Sequence, residues 1–84
     1  MDNLGDSILK EAVYFLEICQ EYVLNGKIQI KDYFSMSYIK LNFIRKLLDE
    51  EKNSLSLSSN LDLRIDNVFK TDAHIYNSIS YVAN

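Results

Sequence analysis

The sequence contains no proline, no tryptophan and only two glycines, Gly5 and Gly26. A small β-sandwich or barrel needs many tight turns, and these turns depend on Gly, Pro, Asn and Asp at special backbone angles. Asn and Asp are plentiful in this chain, but the other two turn residues are scarce or missing. This scarcity argues against an all-β fold and favours a few long helices.

Cysteine and histidine each occur once, as Cys19 and His74. A zinc site needs three or four converging nitrogen, sulfur or carboxylate ligands, so these two residues do not predict a metal site. One histidine leaves little choice of general base, and the chain has neither a Gly-x-Ser-x-Gly turn nor a glycine-rich phosphate loop. We therefore expect no catalytic residues, no metal ligands and no cofactor, and a protein that is not an enzyme.

Long apolar runs and an N-terminal targeting signal are also missing. No segment reaches the roughly 18 uninterrupted apolar residues of a membrane span. The first six residues are acidic and lack the basic start of a secretory signal. A lone cysteine cannot form an intrachain disulfide, which is compatible with a reducing compartment. We expect a cytoplasmic location, no membrane partner and no small-molecule substrate.

Apolar residues are abundant, at 48% of the chain, and recur at helical spacing in three segments. They predict an all-α fold, a three-helix antiparallel bundle formed by one domain over residues 1–84. The predicted helices span about residues 6–25, 33–52 and 60–82. Gly26 predicts the end of the first helix, because glycine accepts the left-handed conformation that closes a helix. Asp72 interrupts the apolar stripe of the third helix. The sequence is compatible with a continuous helix and with a kink or a break near Asp72.

The first helix carries more apolar surface than packing on one side requires. Its main apolar stripe consists of residues spaced by four and three, namely Ile8, Ala12, Phe15, Cys19 and Tyr22. With their apolar neighbours, these residues cover more than half of the circumference, whereas an arc of about 100° or somewhat more suffices for packing. The surplus predicts an interface with a second copy of the chain or with another protein. The residues that we predict for this interaction surface are Tyr14, Ile18, Leu63 and Tyr81.

Two charged residues lie inside otherwise apolar stripes, Lys40 in the second helix and Asp72 in the third. An unpaired buried charge is costly, so such residues form pairs, extend to solvent or line an interface. In a hairpin of these two helices they lie at about the same height. We therefore predict a partly buried ion pair that fixes the register. The alternative is that the second helix starts late, with Lys40 in its first turn, and that Asp72 caps a separate fourth helix.

The formal net charge of −3 is unevenly distributed. Residues 1–25 hold five acids and one lysine, a net −4, whereas residues 26–46 hold five basic residues and one aspartate, a net +4. Packing of oppositely charged helices accounts for this pattern. An alternative is a helix-turn-helix at residues 28–48, with residues 32–36 as its first helix and residues 38–48 as its reading helix. Its nucleic-acid contacts would be Lys40, Asn42, Arg45 and Lys46.

These features favour a small non-catalytic regulatory or adaptor protein that acts by helix-mediated binding to another protein or to itself. A helix-turn-helix DNA-binding regulator is the alternative, although the acidic net charge makes nucleic acid an unexpected partner. A structural subunit of a larger assembly is the second alternative. Salt dependence distinguishes the first two, because phosphate contacts weaken steeply with ionic strength.

Overall fold

The chain folds into three α-helices in a computed structural model that describes the backbone of residues 4–51 and 57–83 and the side chains of residues 6–50 and 57–78. The helices are α1 (Leu4–Leu24), α2 (Ile30–Glu51) and α3 (Ser59–Ala83), and no strand occurs in the described segments. All three pack together, with α1 in contact with both α2 and α3. The all-α three-helix fold predicted from the sequence is confirmed.

The first connection follows from the chemistry of a helix end. Gly26 has a φ of 72°, its N–H donates to the carbonyl of Val23, and the N–H of Lys27 donates to the carbonyl of Tyr22. These two bonds form a Schellman motif, which satisfies carbonyls that the end of α1 would otherwise leave unpaired. The predicted role of Gly26 as the stop of the first helix is confirmed.

The other two helices differ from the predicted boundaries at their N-termini. Helix α2 begins at Ile30, earlier than predicted, so Lys40 lies in its middle and not in a first turn. Helix α3 begins at Ser59, where the hydroxyl of Ser58 accepts a hydrogen bond from the N–H of Leu61 and caps the first turn. It then continues without a break through Asp72. The alternative prediction of a separate fourth helix that starts near Asp72 is therefore wrong.

The core lies along the line where the three helices meet, in two neighbouring clusters. The larger cluster consists of Leu9, Ala12, Val13, Leu16, Leu41, Ile44, Leu61, Ile65 and Val68. The smaller cluster, nearer the α1–α2 connection, consists of Cys19, Tyr33 and Ile75. Each cluster takes residues from all three helices, so burial of apolar side chains is what orients each helix about its axis.

The buried side of α1 is rotated relative to the stripe predicted from the sequence. Ala12 and Cys19 are buried as predicted, but the other three members of that stripe, Ile8, Phe15 and Tyr22, are exposed. Their place in the core is taken by residues at neighbouring positions, including Leu16 and Gln20. The surplus apolar surface of α1 therefore lies on the side of the helix that borders α2.

Candidate protein-interaction surface

An apolar groove runs between α1 and α2 on the side of the bundle that faces away from α3. It encloses a cavity of about 250 Å³ and is called the α1–α2 groove below. The residues that line it are Ile8, Glu11, Ala12, Ile39, Lys40 and Phe43. Most of these side chains are apolar, so the groove offers surface whose removal from water would be favourable.

Further exposed apolar side chains extend this groove along both helices. On α1, Phe15 and Tyr22 follow Ile8 at steps of seven residues, and on α2 Met36 precedes Ile39 by three. Ile39 is the most exposed of them, at 73% of its maximum. Residues three, four and seven apart share one side of a helix, so each helix contributes a continuous apolar row. Two adjacent apolar rows form a surface of the kind on which a further helix packs.

The two helices give the groove opposite charge on its two sides. Glu11 belongs to α1, and Lys40 belongs to α2. The Lys40 Nζ lies 5.5 Å from the centre of the Phe15 ring, a cation–π contact that directs this side chain across the groove. The groove therefore combines an apolar floor with an acidic residue of α1 and a basic residue of α2 whose ammonium group extends over Phe15.

The residues predicted for the interaction surface fall in different parts of the molecule. Tyr14 and Ile18 lie on α1, where Tyr14 is 62% exposed and Ile18 is half-buried. Leu63 is 69% exposed on α3, on the side opposite the buried Leu61 and Ile65, and so does not adjoin the other two. The side chain of Tyr81 lies outside the described residues.

The predicted ion pair between Lys40 and Asp72 is replaced by other contacts in the structure. Asp72 accepts a hydrogen bond from the Tyr33 hydroxyl at 2.7 Å, and Lys40 lies over Phe15. The predicted height is nearly right, because Asp72 borders the same cavity as Leu41. The ion pair does not form, because Lys40 extends towards α1 whereas Asp72 lies in the α2–α3 contact.

A buried chain of polar groups connects the three helices. The Nε2 of Gln20 on α1 donates to the carbonyl of Val68 on α3 at 2.8 Å and to the hydroxyl of Tyr33 on α2 at 3.1 Å. The Tyr33 hydroxyl in turn donates to Asp72 on α3. Gln20 and Tyr33 are both buried, so these bonds replace bonds to water that burial removes. These hydrogen bonds fix the relative positions of the three helices and hold the Asp72 carboxylate in place.

Burial raises the pKa of Tyr33 well above its ordinary value, the hydrogen bond from Gln20 lowers it, and the hydrogen bond to Asp72 and the charge of that carboxylate raise it further. A contact with the fully buried Ser37 hydroxyl lowers this pKa. That hydroxyl forms no hydrogen bond of ordinary geometry with the described residues.

A second cavity, between α2 and α3, lies next to this polar chain. It measures about 260 Å³ and is called the α2–α3 cavity below. Its lining consists of Phe34, Ser37, Tyr38, Leu41, Asn42, Arg45, Asp72 and Tyr76. Aromatic rings form much of its wall, and Asp72 places a carboxylate among them.

No family model matches this chain, and no curated protein or solved structure is significantly similar to it. The interpretation of its surfaces therefore depends on their geometry and chemistry.

The helix-turn-helix interpretation does not fit the observed course of α2. It requires a turn between residues 32–36 and residues 38–48, but α2 is one continuous helix from Ile30 to Glu51. Two of the four residues named as nucleic-acid contacts lie against aromatic rings, Lys40 on Phe15 and Arg45 on Phe69. The other two, Asn42 and Lys46, are exposed.

The described residues also show the setting of the remaining candidate groups. Cys19 is buried, and this burial raises the pKa of its thiol, which disfavours the reactive thiolate. His74 is exposed on α3. Among the described side chains, no three His, Cys, Asp or Glu residues converge as metal ligands would. None of the described helices has an apolar stretch long enough to cross a bilayer.

Proposed function

We propose that this chain is a non-catalytic protein that acts by helix-mediated protein–protein binding, and that its α1–α2 groove binds the same groove of a second copy. The observation that carries the proposal is the pair of exposed apolar rows on α1 and α2, with Glu11 on one side of the groove and Lys40 on the other. Two such grooves face to face form a four-helix layer around a new apolar core. The resulting dimer serves as a small regulatory or adaptor unit.

The charge pattern supports one of two possible twofold arrangements. If the twofold axis runs parallel to the helices, α1 of one copy faces α2 of the other, and each residue keeps its height along the axis. Glu11 and Lys40 line one cavity and thus share a height, so each Glu11 then faces the Lys40 of the second copy. If the axis runs across the helices, α1 faces α1 and the acidic sides oppose each other. Opposite charges favour the parallel axis.

The size of the surface is adequate for a dimer. Helix α1 has 21 residues, which at about 1.5 Å per residue gives a length of about 32 Å. Two adjacent helices of about 10 Å diameter make a face about 20 Å wide, and hence about 600 Å² in projection. A stable complex buries about 800 Å² of accessible surface on each partner. A corrugated helical face of this projected area is close to that requirement.

Sedimentation velocity of the full chain at micromolar concentration tests the proposal. We expect the mass of two 9.8 kDa chains, and we expect Ile39→Asp to reduce it to that of one chain. Ile39 is largely exposed, so the substitution leaves the fold intact. Leu63→Asp is the matched control, because it adds the same charge at a similarly exposed leucine on α3 and should leave the dimer unchanged. A wild-type monomer, or equal loss in both variants, would overturn the proposal.

A charge exchange tests which twofold arrangement forms. Glu11→Lys and Lys40→Glu each place like charges opposite one another and should weaken the dimer about fivefold or more. Combining the two restores opposite charges and should recover most of the lost affinity. If the double variant is weaker than both single variants, α1 does not face α2 of the second copy. Raising the salt concentration should reduce the differences between these variants, because screening affects the charges and not the apolar contacts.

A further inference from the structure

The α2–α3 cavity contains a carboxylate whose charge no cation of the described residues neutralises. Asp72 is half-buried and accepts one hydrogen bond, from Tyr33 to its Oδ1. Arg45 lines the same cavity, but its guanidinium lies over the Phe69 ring at 5.0 Å and forms no ion pair with Asp72. A partly desolvated charge without a counterion attracts a cation more strongly than an exposed charge does.

Aromatic rings surround this carboxylate. Phe34 and Tyr76 meet edge to face with their centres 6.0 Å apart, and Tyr38 lines the cavity from α2. Tyr38 and Tyr76 are both well exposed, so their rings lie at the mouth of the cavity. Aromatic faces attract ammonium groups through their quadrupoles, and protein sites for alkylated amines are built from such rings. Carboxylate and aromatic rings thus converge on one cavity of about 260 Å³.

We propose that the α2–α3 cavity binds an alkylammonium group, with Asp72 as its counterion and with Phe34, Tyr38 and Tyr76 around its methylenes. The group is supplied either by a free amine or by a lysine side chain of a polypeptide. This site is separate from the α1–α2 groove, so it exists in a monomer and in a dimer.

Titration of the ¹⁵N-labelled full chain, followed by NMR, tests the proposal. We expect n-butylammonium chloride to shift the amide signals of residues 34–38 and 72–76 in a saturable way. The uncharged analogue n-butanol and the anion butyrate should bind at least tenfold more weakly. If all three ligands cause the same shifts, or if butylammonium shifts signals evenly over the surface, the site is overturned.

Two aspartate variants on the same helix separate the site from general charge attraction. Asp72→Asn should weaken butylammonium binding at least tenfold, while Asn retains an oxygen that accepts the Tyr33 hydrogen bond and so preserves the fold. Asp66→Asn is the matched control, since Asp66 is exposed and pairs with Lys70 outside the cavity. It should change the affinity less than twofold. Equal effects of the two variants would contradict a specific site.

A further variant and two further ligands complete the test. Arg45→Gln removes a cation that lines the cavity and should strengthen binding about twofold or more; unchanged or weaker binding would count against Asp72 as the counterion. Putrescine represents the free amines, and the peptide Gly-Lys-Gly with an acetylated N-terminus represents a lysine side chain. Tighter binding of putrescine assigns the site to a free amine, and tighter binding of the peptide assigns it to a protein lysine. Failure of both ligands to compete with butylammonium would overturn the proposal.

Discussion

Removal of one buried hydroxyl, in Tyr33→Phe, should reveal how much the polar chain contributes to the stability of the bundle. The Tyr33 side chain is fully buried. Its hydroxyl donates to Asp72 at 2.7 Å and accepts from Gln20 at 3.1 Å. The variant keeps the ring and its packing, so the change removes these two bonds and little else.

The expected loss follows from the type of each bond. A hydrogen bond to a charged group contributes about 1.5–3 kcal/mol, and a neutral one contributes about 1 kcal/mol. Gln20 keeps its second bond, to the Val68 carbonyl, and half-buried Asp72 regains water, so both losses are partly offset. We expect the free energy of unfolding to fall by about 2–3 kcal/mol, which for a domain of this size lowers Tm by roughly 10–20 °C.

Urea denaturation followed by far-UV circular dichroism measures this change. Tyr14→Phe is the control, because Tyr14 is 62% exposed on α1 and its hydroxyl forms no hydrogen bond with the described residues. It should shift the free energy of unfolding by less than about 0.5 kcal/mol. If Tyr33→Phe behaves like this control, the polar chain does not hold the helices together as described.

Four other changes should have measurable effects. Because burial raises the pKa of Tyr33, the contribution of Tyr33 to stability should be constant below pH of about 10 and fall above it by up to about 1.4 kcal/mol per pH unit. Tyr33→Phe should remove this part of the alkaline decline in urea titrations. Gly26→Ala should cost about 1–2 kcal/mol in thermal melts, since its φ of 72° strains any side chain while no neighbour lies within 4 Å. Arg64→Ala removes a two-bond ion pair with Glu17 at 2.8 and 3.0 Å and should cost about 0.5–1 kcal/mol, less in high salt. Leu16→Ala opens a cavity at a fully buried position and should cost about 3–5 kcal/mol in urea, or unfold the chain.

The helices were predictable because their signals are local. The apolar spacing and the stop at Gly26 depend on residues that are near in sequence, and the folded helices keep this spacing. The early start of α2 was not predicted, because no residue of a type that typically caps a helix directly precedes it. Its first turn is closed by the N–H of Tyr33 donating to the carbonyl of Gln29.

The orientation of α1 was harder to predict because its apolar arc is wider than its contact. Periodicity alone does not decide which part of such an arc faces the core. Gln20 is polar, yet it is buried through hydrogen bonds to Val68 and Tyr33. These partners lie 48 and 13 residues away, so the pattern of neighbouring residues does not predict them.

The residues of the candidate site were also hard to predict, because they come from parts of the sequence that are far apart. The surplus of apolar surface on α1 predicted an interface with Tyr14 and Ile18 on this helix, whereas the α1–α2 groove is lined by Ile8, Glu11 and Ala12 of α1. The partner of Asp72 is the hydroxyl of Tyr33, because a tyrosine carries a hydrogen-bond donor as well as an aromatic ring.

Chemical cross-linking between two single-cysteine variants tests the proposed dimer most directly. Glu11→Cys and Lys40→Cys chains, each with the buried Cys19 replaced by Ala, are mixed and treated with a bismaleimide about 10 Å long. With α1 facing α2 of the second copy, the mixture gives a covalent dimer in high yield, and each variant alone gives little. No cross-linked dimer in the mixture, or one formed mainly by Glu11→Cys alone, would contradict the proposed binding of the two grooves.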